Sequence, residues 1–136
     1  MYAVIDTNIL VSAQLTRHED SATRQIVRAV FNGCITPVIT SAILDEYQSV
    51  LSRPKFHIAP DVIAAVTSFF HKYGRVATPQ PYIGELPDEK DRIFLEATMG
   101  MRSADAVLVT GNKRHFPDAD SILTPSEFIA LYAPLM

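Results

Sequence analysis

Ala106-Val107-Leu108-Val109-Thr110-Gly111-Asn112 decides the fold. Five apolar or β-branched residues run without a charge and stop at a glycine, as expected of a strand buried on both faces. Such a strand belongs to a parallel sheet covered by helices. The chain on either side agrees. Tyr2–Ile5 is a second short apolar strand, and Pro37–Thr40 a third, with its proline first because proline cannot donate to a central ladder. Arg75–Thr78 and Ser121–Thr124 complete five strands. Between them apolar residues recur at helical spacing. Ile26, Val27, Val30 and Phe31 follow an Asp20-Ser21 cap and run to Gly33. Ile43, Leu44, Tyr47, Val50 and Leu51 follow Thr40 or Ser41 and end before Pro54. Val62, Ile63, Val66, Phe69 and Phe70 lie on a helix over Pro60–Tyr73 that stops at Gly74, and Ile93, Phe94, Ala97 and Met101 on one over Asp88–Met101. Pro125–Tyr132 opens with proline in its first turn. Residues 79–87 hold three prolines and a glycine and read as a loop. The expected fold is a three-layer α/β/α sandwich around a five-stranded, mostly parallel sheet.

Size and composition bound the rest. A chain of 136 residues is expected to be one domain spanning 1–136, and at this size about two-thirds of the unfolded surface is buried. Apolar residues make up 48% and charged residues 20%, which excludes disorder. The net charge of −3 excludes a uniformly basic nucleic-acid-coating protein, so any basic surface is a local patch. One cysteine, Cys34, excludes an internal disulfide and a cysteine-based zinc site. The start, MYAVIDTN, lacks a basic region and meets an acid at position 6, and no window approaches 18 apolar residues. A cytoplasmic protein with no membrane segment is expected.

In an open parallel sheet, ligands bind beyond the carboxyl ends of the strands. Asp6-Thr7-Asn8 follows the first strand and Thr110-Gly111-Asn112 the strongest one, so both oxygen-bearing clusters share an edge if those strands are neighbours. A strand-end turn or helix cap is the ordinary reading of Asp6-Thr7-Asn8. On the helix after residue 40, stepping ~100° per residue from Ile43 puts Asp45 at about 200°, opposite the core, and Glu46 at about 300°, on the flank of the buried stripe. A flank carboxylate can reach a cleft, although a surface glutamate is the commoner fate. Asp88 and Asp91 stand in a first helical turn, where acids are favoured in any case. Asp88 reads as the cap. Asp91, a turn above Phe94 and Leu95, should point toward the strand ends. Asp105 precedes its strand and belongs at the opposite edge. If Asp6, Glu46 and Asp91 converge, they need protons or a cation. Oxygen ligands without cysteine or paired histidine favour Mg²⁺ or Mn²⁺, with Asn112 as a neutral oxygen or a water-orienting group. Such a site suits phosphoryl chemistry.

The ordered set Ile5-Asp6-Thr7-Asn8, Leu44-Asp45-Glu46-Tyr47 with Leu51-Ser52-Arg53-Pro54-Lys55-Phe56, Asp88-x-x-Asp91 and Ala104-Asp105-Ala106-Val107-Leu108-Val109-Thr110-Gly111-Asn112 resembles the PIN domain over roughly residues 2–130. More narrowly it resembles the VapC-like toxin component of toxin–antitoxin systems. The resemblance implies a Mg²⁺- or Mn²⁺-dependent ribonuclease that leaves a 3′-hydroxyl and a 5′-phosphate. It places the acidic positions on Asp6, Glu46 and Asp91, with Asn112 at the fourth, Thr7 or Asn8 supporting by hydrogen bonds, and Asp88 left as an outer-shell acid beside its capping role. It also implies an antitoxin partner, which inserts into the cleft, and a homodimer. Many family members carry aspartate where this chain has Asn112. One charge fewer weakens the attraction for metal and favours one ion over two.

Lys113 and Arg114, nearest the cleft, are the first candidates for RNA phosphate contact, with Arg53 and Lys55 flanking; scattered solvated charges are the alternative. His115 reads as a loop histidine beside a packing Phe116, or as a partner for a phosphate or a site acid. Two other functions stay open. A PIN module that binds RNA or protein without catalysis would bind no Mn²⁺. An aspartyl-phosphate phosphatase would trap phosphate on Asp6, but normally wants an acid where Asn8 stands.

Overall fold

The computed structural model describes residues 1–136 in full. In chain order its elements are β1 (Tyr2–Ile5), α1 (Thr7–Leu15), α2 (Ala22–Phe31), β2 (Thr36–Ile39), α3 (Ser41–Leu51), α4 (Pro60–Tyr73), β3 (Arg75–Val76), α5 (Arg92–Gly100), β4 (Val107–Val109), β5 (Ile122–Leu123) and α6 (Pro125–Tyr132). The five strands form one sheet in the order β3-β2-β1-β4-β5, and every pairing is parallel. This is the expected three-layer α/β/α sandwich. β1 is central because Ala3, Val4 and Ile5 are fully buried, as are Leu108 and Val109 of β4 beside it. From β1 the chain builds outward to β2 and β3 on one side, then returns to lay β4 and β5 on the other. The order therefore reverses between β1 and β4, and the crevice at their carboxyl ends is where such folds place ligands.

Helix ends follow local chemistry. The Ser21 side chain accepts from Arg24 N at 3.3 Å and starts α2, which Gly33 at φ 87° closes. Thr40 caps α3, accepting from Ile43 N at 3.1 Å. Thr124 and Glu127 form a reciprocal capping box on α6. Three differences from the sequence reading have clear causes. α1 was not expected, because Ile9, Leu10 and Val11 are consecutive and show no helical stripe; Ile9, Leu10 and Ala13 are all buried. β2 begins one residue before Pro37, since Thr36 N donates to Met1 O at 2.8 Å. Asp88–Met101 is not one helix. Glu89–Asp91 forms a 3₁₀ turn capped by Asp88, and α5 begins only at Arg92.

Tyr47 ties α3 to the central strand. It is fully buried, donates its hydroxyl to Ile5 O, and meets the Phe70 ring edge-on at 5.4 Å. The bond joins the residue after Glu46 to the residue before Asp6. Tyr47→Phe keeps the shape and removes the donor. It is expected to cost about 1–2 kcal/mol in urea unfolding. An unchanged midpoint would show that the hydroxyl does not help hold α3 on β1.

Candidate functional site at the carboxyl ends of β1 and β4

Asp6 is the residue between β1 and α1. Its backbone N donates to Val109 O at 3.0 Å, which extends the sheet one step and sets Asp6 beside the end of β4. Its side chain stands at the N-cap position of α1 but caps nothing. Instead, Oδ2 accepts from Thr110 Oγ1 at 2.7 Å and from Asn8 Nδ2 at 3.3 Å. Asn8 Oδ1 accepts from Gly111 N at 3.1 Å, and Thr110 Oγ1 accepts from Asn112 N at 3.0 Å. Asp6-Thr7-Asn8 and Thr110-Gly111-Asn112 are thus laced together across the switch point.

Asp6 is only 5% exposed. Burial raises its pKa to about 6; the Thr110 hydrogen bond opposes the rise and the Asp91 charge adds to it. Asp91 is half-buried. Burial raises its pKa too, opposed by a hydrogen bond from His115 and reinforced by the charges of Asp88 and Glu46. Asp91 therefore links the acids: its charge bears on Asp6, and those of Asp88 and Glu46 bear on it. None of the four is paired with a lysine or arginine. Glu46 is half-buried and Asp45 exposed, as the helical arithmetic expects. Asp88 is exposed and accepts from Lys90 N at 3.0 Å, so its capping role is visible in the structure.

The remaining candidates divide. Thr7 is 5% exposed, and its Oγ1 is buried without a hydrogen-bond partner. Asn112 is exposed, with only its backbone N engaged in the lacing. Lys113 is committed elsewhere, its Nζ lying 3.0 Å from both Glu127 oxygens. A partner 14 residues away gave no signal in the sequence. Arg114, Arg53 and Lys55 are exposed and outside every ion pair, Lys55 lying over its neighbour Phe56 at 5.1 Å. His115 reaches the acids: its Nδ1 is 3.1 Å from Asp91 Oδ2.

No three His, Cys, Asp or Glu side chains stand close enough to form a ready-made metal cage. The donor chemistry nevertheless fits a hard divalent cation. The groups are oxygen donors, the most buried acid lacks a cationic partner, and the hydroxyl of Thr7, the next residue in the chain, is buried and unsatisfied.

Fold and site together define a parallel α/β domain with an acidic crevice at its topological switch point. A family model described as PIN domain matches residues 2–114, and the chain belongs to that family, whose fold is of the nuclease type. Searches of curated proteins and of solved structures return no match. No helix is long and apolar enough to cross a membrane.

Proposed function

We propose that this chain is a divalent-metal-dependent endoribonuclease acting in the cytoplasm as the toxin of a toxin–antitoxin pair. The observation that carries the reading is a buried carboxylate, Asp6, that has no positive partner and shares its field with Asp91 and, through Asp91, with Glu46 and Asp88. A field of one sign held inside a fold calls for a cation. Asp6, Glu46 and Asp91 would hold Mg²⁺ or Mn²⁺, with Asn112 as a neutral oxygen at its rim. When bound, such an ion polarises a phosphoryl oxygen and lowers the pKa of a water. The chain does the positioning. Thr110 and Asn8 fix which Asp6 oxygen faces inward, and Asn8 and Gly111 hold the two strand ends together. Arg114, with Arg53 and Lys55, is left to attract an RNA backbone, because Lys113 is neutralised by Glu127. β5 and α6 lie beyond the family match, yet Ile122, Leu123 and Phe128 join the same core, which supports reading residues 1–136 as one domain. The toxin reading adds an antitoxin partner and a homodimer.

The test is cleavage of a mixed RNA pool with Mn²⁺, with EDTA, and with Mn²⁺ restored. Fragments ending in 5′-phosphate, abolished by EDTA and recovered with metal, are expected. Cleavage untouched by EDTA would overturn the metal reading. The neutral Asn112 and the absence of a preformed three-acid cage favour a second reading, a module that binds RNA or protein without catalysis. Calorimetry separates the two, since only the nuclease takes up Mn²⁺ at millimolar levels or below.

A further inference from the structure

Asp91 stands at the junction of a 3₁₀ turn and α5. It ends the Glu89–Asp91 turn, and its side chain makes no cap bond to α5. The like charges of Asp88 and Glu46 bear on it, and its own charge bears on Asp6. Left alone, a carboxylate in such a field turns toward water. One protein group holds it, the imidazole of His115 at 3.1 Å.

His115 is itself held by what surrounds it in sequence. It ends a 3₁₀ turn, donating its backbone N–H to Asn112 O at 2.9 Å. Phe116, next in the chain, is 7% exposed and anchors that turn in the core. Lys113, at the start of the turn, is pinned to Glu127. The ring keeps 27% of its side-chain surface exposed, and Nδ1 is its one hydrogen-bonded nitrogen. The histidine is thus presented by an anchored turn, and its directed contact is with Asp91. Because an ionised carboxylate only accepts, Nδ1 carries the proton of that bond.

We propose that His115 is a positioning residue that holds the Asp91 carboxylate ready for a divalent cation. The proposal rests on the metal reading above. A donor on one carboxylate oxygen fixes the rotamer and leaves the other oxygen to a ligand. Removing a group in this relation to a metal ligand typically weakens metal binding about 10- to 100-fold.

Calorimetric titration of Mn²⁺ into the intact chain tests it, using wild type, His115→Ala, His115→Asn and His115→Gln, with thermal midpoints taken without metal. His115→Ala is expected to keep its midpoint and lose about 10- to 100-fold in Mn²⁺ affinity. His115→Asn places an amide N–H near the position of Nδ1 and should recover to within about threefold of wild type, whereas His115→Gln, whose amide reaches further, should stay weak. In RNA cleavage, saturating Mn²⁺ should restore kcat to His115→Ala, with KM for RNA unchanged. Equal Mn²⁺ affinity in wild type and His115→Ala overturns the proposal, as does an asparagine variant as weak as alanine. Wild type that takes up no Mn²⁺ is a separate result: it removes the metal reading itself, and this role falls with it.

Discussion

Asp6→Asn is expected to abolish metal-dependent RNA cleavage and, at the same time, to make the protein more stable at neutral pH. Loss of activity should exceed about 100-fold, because even the groups that merely orient a metal ligand are worth 10- to 100-fold. The stability gain follows from burial. The carboxyl ionises near 6 in the folded chain against an ordinary 3.8. Between those values the folded state holds a proton that the unfolded state has already released. Stability therefore falls as pH rises from about 4 to about 6, and above 6 the whole penalty is present. At about 1.4 kcal/mol per tenfold change in proton affinity, the gap bounds the penalty at roughly 3 kcal/mol. Asparagine is neutral and its oxygen can still accept from Thr110 and Asn8, so the variant should gain about 1–3 kcal/mol at pH 7.5 and nothing at pH 4. Urea unfolding at the two pH values, with a cleavage assay alongside, checks both halves. A variant that is inactive and also less stable at pH 7.5 would mean that Asp6 holds the fold together rather than straining it.

That opposition between stability and site explains what could be read from the sequence and what could not. The sheet was legible because Ala3–Ile5 and Val107–Val109 have no reason to be so uniformly apolar unless both faces are covered. Their adjacency then brought Asp6 and Thr110 to one edge. Glu46 was legible because a helix converts three residues of spacing into an angle. α1 was not, since its apolar residues fall all round the helix, Leu15 being exposed while Ile9, Leu10 and Ala13 are buried, and so leave no stripe. Asp88–Met101 read as one helix because the Glu89–Asp91 turn holds no apolar residue that could set a period of its own, and it runs directly into α5 at Arg92. The Lys113–Glu127 pair and the His115–Asp91 contact join residues 14 and 24 apart on different elements. No periodicity links such positions; they meet because β4, β5 and α5 pack where they do. The candidate acids could be named from the chain, and the groups that restrain or neutralise their neighbours could not.

Thr110→Val probes the restraint that matters most. The Thr110 side chain is fully buried and its hydroxyl works twice, donating to Asp6 Oδ2 at 2.7 Å and accepting from Asn112 N at 3.0 Å. Valine fills the same space and can do neither. A hydrogen bond to a charged group contributes about 1.5–3 kcal/mol, and a buried carboxylate deprived of it also loses what offsets its desolvation. The expected cost is about 3 kcal/mol at pH 7.5. At pH 4 the cost should be smaller, because the Asp6 carboxyl is then neutral there. The same loss pushes the Asp6 pKa further up, since the Thr110 bond is what chiefly holds it down. Proton and cation compete for that carboxylate, so the acid limb of Mn²⁺ binding should move to higher pH in the variant. The decisive measurement is a double-mutant cycle. In the Asp6→Asn background the hydroxyl faces a neutral amide, and Thr110→Val should cost at least about 1 kcal/mol less than in wild type. Strict additivity of the two changes would show that the hydroxyl serves the Asn112 backbone alone, and that the buried charge of Asp6 is carried by something other than the end of β4.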